Sequence, residues 1–209
     1  MEKEVVAKTT TSSVPSKKAA DCTTECSSAR KVFLAVFCVC KPRRNILDES
    51  GIAAVEAERS ALKHTEPALF TIGYEGLKFE TYLNRLIQNN IRLLCDVRQN
   101  PLSRKYGFSK PMLAKVLPKF NIAYAHLPEF GIDSAKRKGL EDAHDFAALF
   151  SEYRKELPKR VDGLAELDRL IGQYGRVALT CFEAHHKSCH RHCVSEFLAR
   201  RDKCKVVHL

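Results

Sequence analysis

The sequence predicts an α/β fold: a mainly parallel sheet of about five strands with helices on both faces, preceded by a poorly structured N-terminal extension. Two patterns predict it. From residue 67 onward, short apolar runs alternate with segments whose apolar residues recur at helical spacing. Strands that alternate with helices in this way pair in parallel and are covered on both sides. Ahead of that point, the first 20 residues are rich in Thr, Ser, Lys and Val and have no hydrophobic period. Such a segment buries too little apolar surface to offset the entropy of ordering it. The expected division is an extension over residues 1–66 and an α/β domain over residues 67–209.

The elements follow in order. Residues 46–64 have helix-forming composition and are expected as one helix ahead of the domain. Residues 68–73 (ALFTIG) form a short apolar run ending in Gly, a buried strand. Phe79, Tyr82, Leu83, Leu86 and Ile87 recur at helical spacing, and Asn89-Asn90 supply a stop. Residues 91–97 (IRLLCDV) are the second strand. Ser109 is placed to cap a helix carrying Met112, Leu113, Val116 and Leu117. Residues 122–127 (IAYAHL) are the third strand, and a loop with Lys136-Arg137-Lys138 runs from 128 to 140. Phe146, Leu149, Phe150, Tyr153 and Leu157 mark an amphipathic helix, and Leu164, Leu167 and Ile171 a second. Residues 177–181 (VALTC) give a fourth strand. Ser188 is read as the cap of a helix running to about Arg200, and Val206-Val207 as a short fifth strand.

Composition narrows the class. The chain has 209 residues, 44% of them hydrophobic and 29% charged, a globular balance. It contains no apolar run long enough to span a membrane. The formal net charge is +10, and residues 67–209 hold 24 basic against 16 acidic side chains. The excess therefore belongs to the domain and favours an anionic partner, either a small molecule or nucleic acid. Nothing in the sequence indicates an oligomeric state.

Nine cysteines stand at positions 22, 26, 38, 40, 95, 181, 189, 193 and 204. An odd number beside regular strands and helices predicts reduced thiols in a cytoplasm rather than a disulfide scaffold. Cys22, Cys26, Cys38 and Cys40 match no common zinc spacing and have no histidine nearby.

In a parallel sheet the ligand crevice lies outside the carboxyl ends of the strands. Polar residues gather at those ends: Tyr74-Glu75-Gly76 after the first strand, Asp96 and Arg98 at the second, Glu183 after the fourth. Arg98 and Arg104 offer paired donors to phosphate or carboxylate oxygens; equally, Asp96 could pair with either arginine and simply pin the loop. Cys181-Phe182-Glu183 and Cys189-His190-Arg191 form the densest cluster. With Ser188 as cap, Cys189 falls in the first helical turn, where free N–H groups favour anions and a thiolate. Glu183 and Asp96 are acid/base candidates, His190 a proton carrier and Arg191 an anion donor. The alternative is structural: buried thiols, an ion-paired Glu183 and a solvated Arg191.

No cofactor is expected. Zinc held by Cys181, Cys189 and Cys193 with a neighbouring histidine is the alternative, and Lys187 and Arg191 among the donors weigh against it. Tyr74, Tyr106, Phe108 and Phe130 lie near the expected rim, where they could stack on a base or simply pack.

Taken together, residues 71–76 (TIGYEG), Asp96-Val97-Arg98 with Pro101, Ser103 and Arg104, residues 124–132 around His126-Leu127-Pro128-Glu129, Cys181-x-Glu183, Cys189-His190-Arg191 and the ending Val206-Val207-His208-Leu209 resemble domain-of-unknown-function family 488. The resemblance covers about residues 68–209 and leaves residues 1–66 outside. It brings no reaction with it. It does imply that Gly73, Tyr74, Asp96, Arg98, Pro101, Ser103, Arg104, Cys181, Glu183, Cys189, His190 and Arg191 are the positions of interest.

The function expected is a metal-independent hydrolase or transferase acting on an anionic, phosphate-bearing or nucleotide-like substrate. Asp96, Glu183, Cys181, Cys189 and His190 are its catalytic candidates. Gly73, Tyr74, Arg98, Ser103, Arg104 and Arg191 are the substrate-binding candidates. The alternative is a nucleotide or nucleic-acid binding module without catalysis, although no recognised nucleic-acid-binding motif is present.

Overall fold

The computed structural model describes residues 49–62, 66–137, 139–140 and 143–209. Five strands form one sheet: β1 (Ala68–Gly73), β2 (Leu93–Asp96), β3 (Ala123–His126), β4 (Arg176–Cys181) and β5 (Val206–His208), in the order β3-β2-β4-β1-β5. Every pairing is parallel. The helices among the described residues are α1 (Glu49–Ser60), α2 (Phe79–Gln88), α3 (Lys110–Val116), α4 (Ala143–Glu156), α5 (Val161–Tyr174) and α6 (His190–Asp202). The α/β fold read from the sequence is the fold observed. Expectations for residues 1–48 lie outside the described residues.

Alternating strand residues feed two cores. On one face, Phe70, Ile72, Leu94 and Ala178 pack with Val55 of α1, Tyr82, Leu83 and Leu86 of α2, and Leu113 and Val116 of α3. On the other, Leu93, Cys95, Val177 and Leu179 pack with Phe150 and Tyr153 of α4, Leu164 and Leu167 of α5, and Val194 and Leu198 of α6. The apolar strands are thus buried on both sides, which is why they read as continuous runs rather than alternating ones. Helix α1 is tied down through Arg59, whose guanidinium donates to Asn90 Oδ1 at 3.0 Å and to the Phe120 and Ile91 carbonyls.

The sheet order creates the crevice. After β1 and β2 the chain turns onto the face of α2 and α3, whereas after β4 it turns to the opposite face and enters α6. Loops that diverge from neighbouring parallel strands leave an opening at their carboxyl ends. The register aligns those ends, with Gly73 opposite Cys181 and Asp96 opposite Thr180.

Candidate functional site

A cavity of about 440 Å³ opens at that point. Its wall combines Tyr74 from the β1 loop, residues 98–100 and 102–105 from the β2 loop, Arg137, and Cys181, Glu183 and His190 from the β4 end and the start of α6. Four cations, Arg98, Arg104, Lys105 and Arg137, share this wall with one carboxylate, Glu183.

The β2 loop is fixed by Asp96. Its carboxylate accepts from Arg98 Nε at 2.7 Å, from the Arg98 backbone N–H at 3.2 Å and from Tyr124 Oη at 2.8 Å. Arg98 also donates to Tyr74 Oη at 2.8 Å and to the Phe108 carbonyl at 3.0 Å. Burial alone would lower the Arg98 pKa, but the Asp96 hydrogen bond and charge raise it above the ordinary value. Tyr124 is pushed up by burial and by the same carboxylate. Asp96 is fully buried and does not line the cavity. The pairing considered from the sequence, Asp96 with Arg98, is the one observed, and it leaves Arg104 exposed at the mouth.

The β4 loop is held from below. Arg191, 1% exposed, donates to the Glu183 carbonyl at 2.5 Å and the Ala184 carbonyl at 3.0 Å. It does not line the cavity; it props up the loop that carries Glu183. Gly73 has a related place. A Cβ there would lie 1.8 Å from the Glu183 carbonyl oxygen, so only glycine lets the two loops approach. Glu183 itself pairs with Arg137 at 2.9 Å through Oε1, while Oε2 is buried with no hydrogen-bond partner among the described residues. Burial acts to raise the Glu183 carboxyl, but the neighbouring Cys189 and Cys181 thiols, the loop backbone and Arg137 hold it below the ordinary value.

The start of α6 differs from the sequence expectation. Ser188 ends a short 3-10 turn, His186–Ser188, and Cys189 is the N-cap, its Sγ accepting from the Arg191 backbone N–H at 3.5 Å. Ser188 is taken up by that turn, and Cys189 is the extended residue before the helix (φ −136°, ψ 141°), the conformation an N-cap requires. His190 is therefore the first helical residue, and it lines the cavity beside Cys181. Its Nε2 lies 3.0 Å from the Val97 carbonyl, an acceptor, so Nε2 carries the proton and Nδ1 presents a lone pair. Around Nδ1 stand Cys181 Sγ at 3.9 Å, Cys189 Sγ at 4.0 Å and Arg137 Nη2 at 3.1 Å. The Cys181 thiol is raised well above its ordinary value, first by the Cys189 thiol and then by burial.

The remaining candidates divide. Tyr74 forms the cavity wall, stacked on Phe108 with ring centroids 4.4 Å apart. Ser103 lines the wall and accepts from the Lys105 backbone N–H at 3.2 Å, shaping the turn. Pro101 is buried and its carbonyl receives the Lys110 N–H. Cys193 packs in the core against His192, away from the cavity wall, and its thiol is raised to about 11 by burial. Phe108 and Phe130 are fully buried, whereas Tyr106 is exposed. Lys105 and Arg137 were not among the expected binding residues. Arg137 sat in a basic run whose signal was the loop charge alone, and only the fold brings it over Glu183.

The fold and crevice define an α/β domain with a basic, thiol-floored opening at the carboxyl ends of a parallel sheet. Residues 78–198 match the family model described as "Domain of unknown function DUF488", and the chain belongs to that family. No curated protein and no solved structure matches the chain. No helix among the described residues is long and apolar enough to cross a membrane.

Proposed function

We propose that the chain is an enzyme, a hydrolase or transferase, that acts on an anionic, phosphate-bearing or nucleotide-like substrate held in the β4 crevice. The observation that carries this reading is the convergence of Arg104, Lys105 and Arg137 on a cavity whose one carboxylate, Glu183, keeps an oxygen without a hydrogen-bond partner. The guanidinium forks and the ammonium suit phosphate oxygens. Arg98 is neutralised and fixed by Asp96, so it contributes a rigid wall rather than free charge, and the charge offered to a ligand comes from Arg104, Lys105 and Arg137. Glu183 takes the role of base or nucleophile; Asp96, sealed behind Arg98 and Tyr124, has only a positioning role. Arg191 and Gly73 set the height of Glu183 above the floor.

The sealing of Asp96 also favours a second reading, since it removes the partner of a two-carboxylate mechanism. In that reading the crevice captures a nucleotide or a strand of nucleic acid and performs no chemistry. A panel of nucleoside monophosphates, phosphodiesters and N-glycosides, assayed with the wild-type chain and Glu183→Gln, separates the two. Turnover by the wild type that falls at least a hundredfold in Glu183→Gln supports the enzyme. Binding without turnover of any panel member supports the module.

A further inference from the structure

From the floor of the crevice we propose a metal site: Cys181, Cys189 and His190 bind one divalent ion of the zinc class, with the fourth coordination position open to the cavity. The three donor atoms lie within 4.8 Å of one another and all three residues are buried. They come from two elements, the end of β4 and the N-terminus of α6, so the fold rather than a local loop brings them together.

The donor chemistry is specific. His190 gives its Nε2–H to the Val97 carbonyl at 3.0 Å, which leaves Nδ1 facing both sulfurs. A backbone carbonyl on the far nitrogen is the usual support of a metal-bound imidazole, fixing its tautomer and orientation. Zinc bonds of about 2.3 Å to sulfur and about 2.0 Å to nitrogen place those atoms roughly 3.5 Å apart in a tetrahedron. The observed Sγ to Nδ1 separations of 3.9 and 4.0 Å need only a small contraction. Two sulfurs and one imidazole select a borderline-soft ion over magnesium or calcium.

The surroundings accept the charge. Two thiolates and a divalent ion sum to zero, and each thiol gives up its proton to solvent on binding. Arg137 must release His190 Nδ1, now 3.1 Å from its Nη2, and can keep its pair with Glu183 through Nη1. Its side chain is 34% exposed, so the guanidinium has room to turn. Cys181 and His190 reach the cavity wall while Cys189 does not, so the open position faces the cavity, next to Glu183. Three protein donors with one free position is the arrangement of a catalytic rather than a purely structural ion.

The test reads metal content and spectrum, so its outcome does not depend on turnover. The full-length chain, reduced and stripped with chelator, is titrated with cobalt(II). A thiolate-to-cobalt charge-transfer band and tetrahedral d–d bands should appear at one equivalent and disappear when zinc is added. Cys181→Ser and Cys189→Ser should each lower the band and weaken binding at least tenfold, and the double variant should lose it. Cys193→Ser should keep it, as should a chain with Cys22, Cys26, Cys38 and Cys40 all changed to Ser. Circular dichroism of each variant separates loss of a ligand from loss of the fold. A wild-type chain without the charge-transfer band, or a folded double variant that retains it, overturns the proposal. Neither result bears on anion binding by Arg104 and Lys105.

Discussion

Asp96 grips Arg98 through two parallel hydrogen bonds, Oδ1 to Nε at 2.7 Å and Oδ2 to Nη2 at 2.5 Å, with both side chains closed off from solvent. One charge of this pair cannot be left alone without cost. Asp96→Ala is expected to destabilise the fold by about 3–5 kcal/mol, because it strands a buried guanidinium. Tyr124→Phe, which removes one hydrogen bond to the same carboxylate, is expected to cost about 1 kcal/mol. Urea unfolding of both variants checks the order. Equal costs would mean that the pair does not organise the loop.

Gly73 and Gly172 give a matched test of close approach. A Cβ at Gly73 meets the Glu183 carbonyl, while one at Gly172 in α5 meets nothing within 4 Å. Gly73→Ala is expected to cost about 1–3 kcal/mol through overpacking and to weaken anion binding by moving the Glu183 loop. Gly172→Ala is expected to stabilise the protein by up to about 1 kcal/mol. Thermal unfolding with parallel ligand titrations reads both, and a harmless Gly73→Ala would contradict the geometry of the two loops.

His186 and His208 stack with ring centroids 3.7 Å apart, and the His208 ring meets Thr71 Oγ1 at 2.7 Å. Burial, then the neighbouring His208 and His185, push His186 down from 6.5 to about 4. The neutral ring is therefore the folded form. Its contribution is present above pH 6.5 and lost as the pH falls from there towards 4. His186→Gln should flatten the acid side of the stability curve in that interval. An unchanged acid limb would show that the stack carries no such linkage.

Arg104 and Lys105 stand at the cavity mouth, one exposed and one half-buried. Each neutralised by Gln should weaken binding of a phosphate-bearing ligand about two- to fivefold, the scale of partly solvated charge pairs. The loss should shrink as salt is raised. A salt-independent affinity in the wild type would assign these residues to the surface alone.

Much of this was legible in the sequence. The strand runs, the two-faced sheet and the gathering of Tyr74, Arg98 and Glu183 at one edge follow from period and from the rule for parallel sheets, because buried strands leave a strong local signal. The division of labour was not legible. Asp96 and Arg191 have the same side chains whether they face a ligand or hold a loop, and only their partners, Arg98 and the Glu183 carbonyl, decide it. The helix start was displaced from Ser188 to Cys189 because a 3-10 turn precedes it, and a one-residue shift leaves no mark in an apolar pattern. Arg137 reaches Glu183 across 46 positions, which no local pattern encodes.

The proposed function rests on anion binding by Arg104, Lys105 and Arg137 in the crevice at the end of β4. Isothermal titration of the full-length chain with a nucleoside 5′-monophosphate at low salt tests it most directly. Saturable binding at one site per chain is expected, weakened at least tenfold when Arg104, Lys105 and Arg137 are all changed to Gln in a variant that keeps its fold. Absence of binding at low salt, or an affinity unchanged in the folded triple variant, would contradict it.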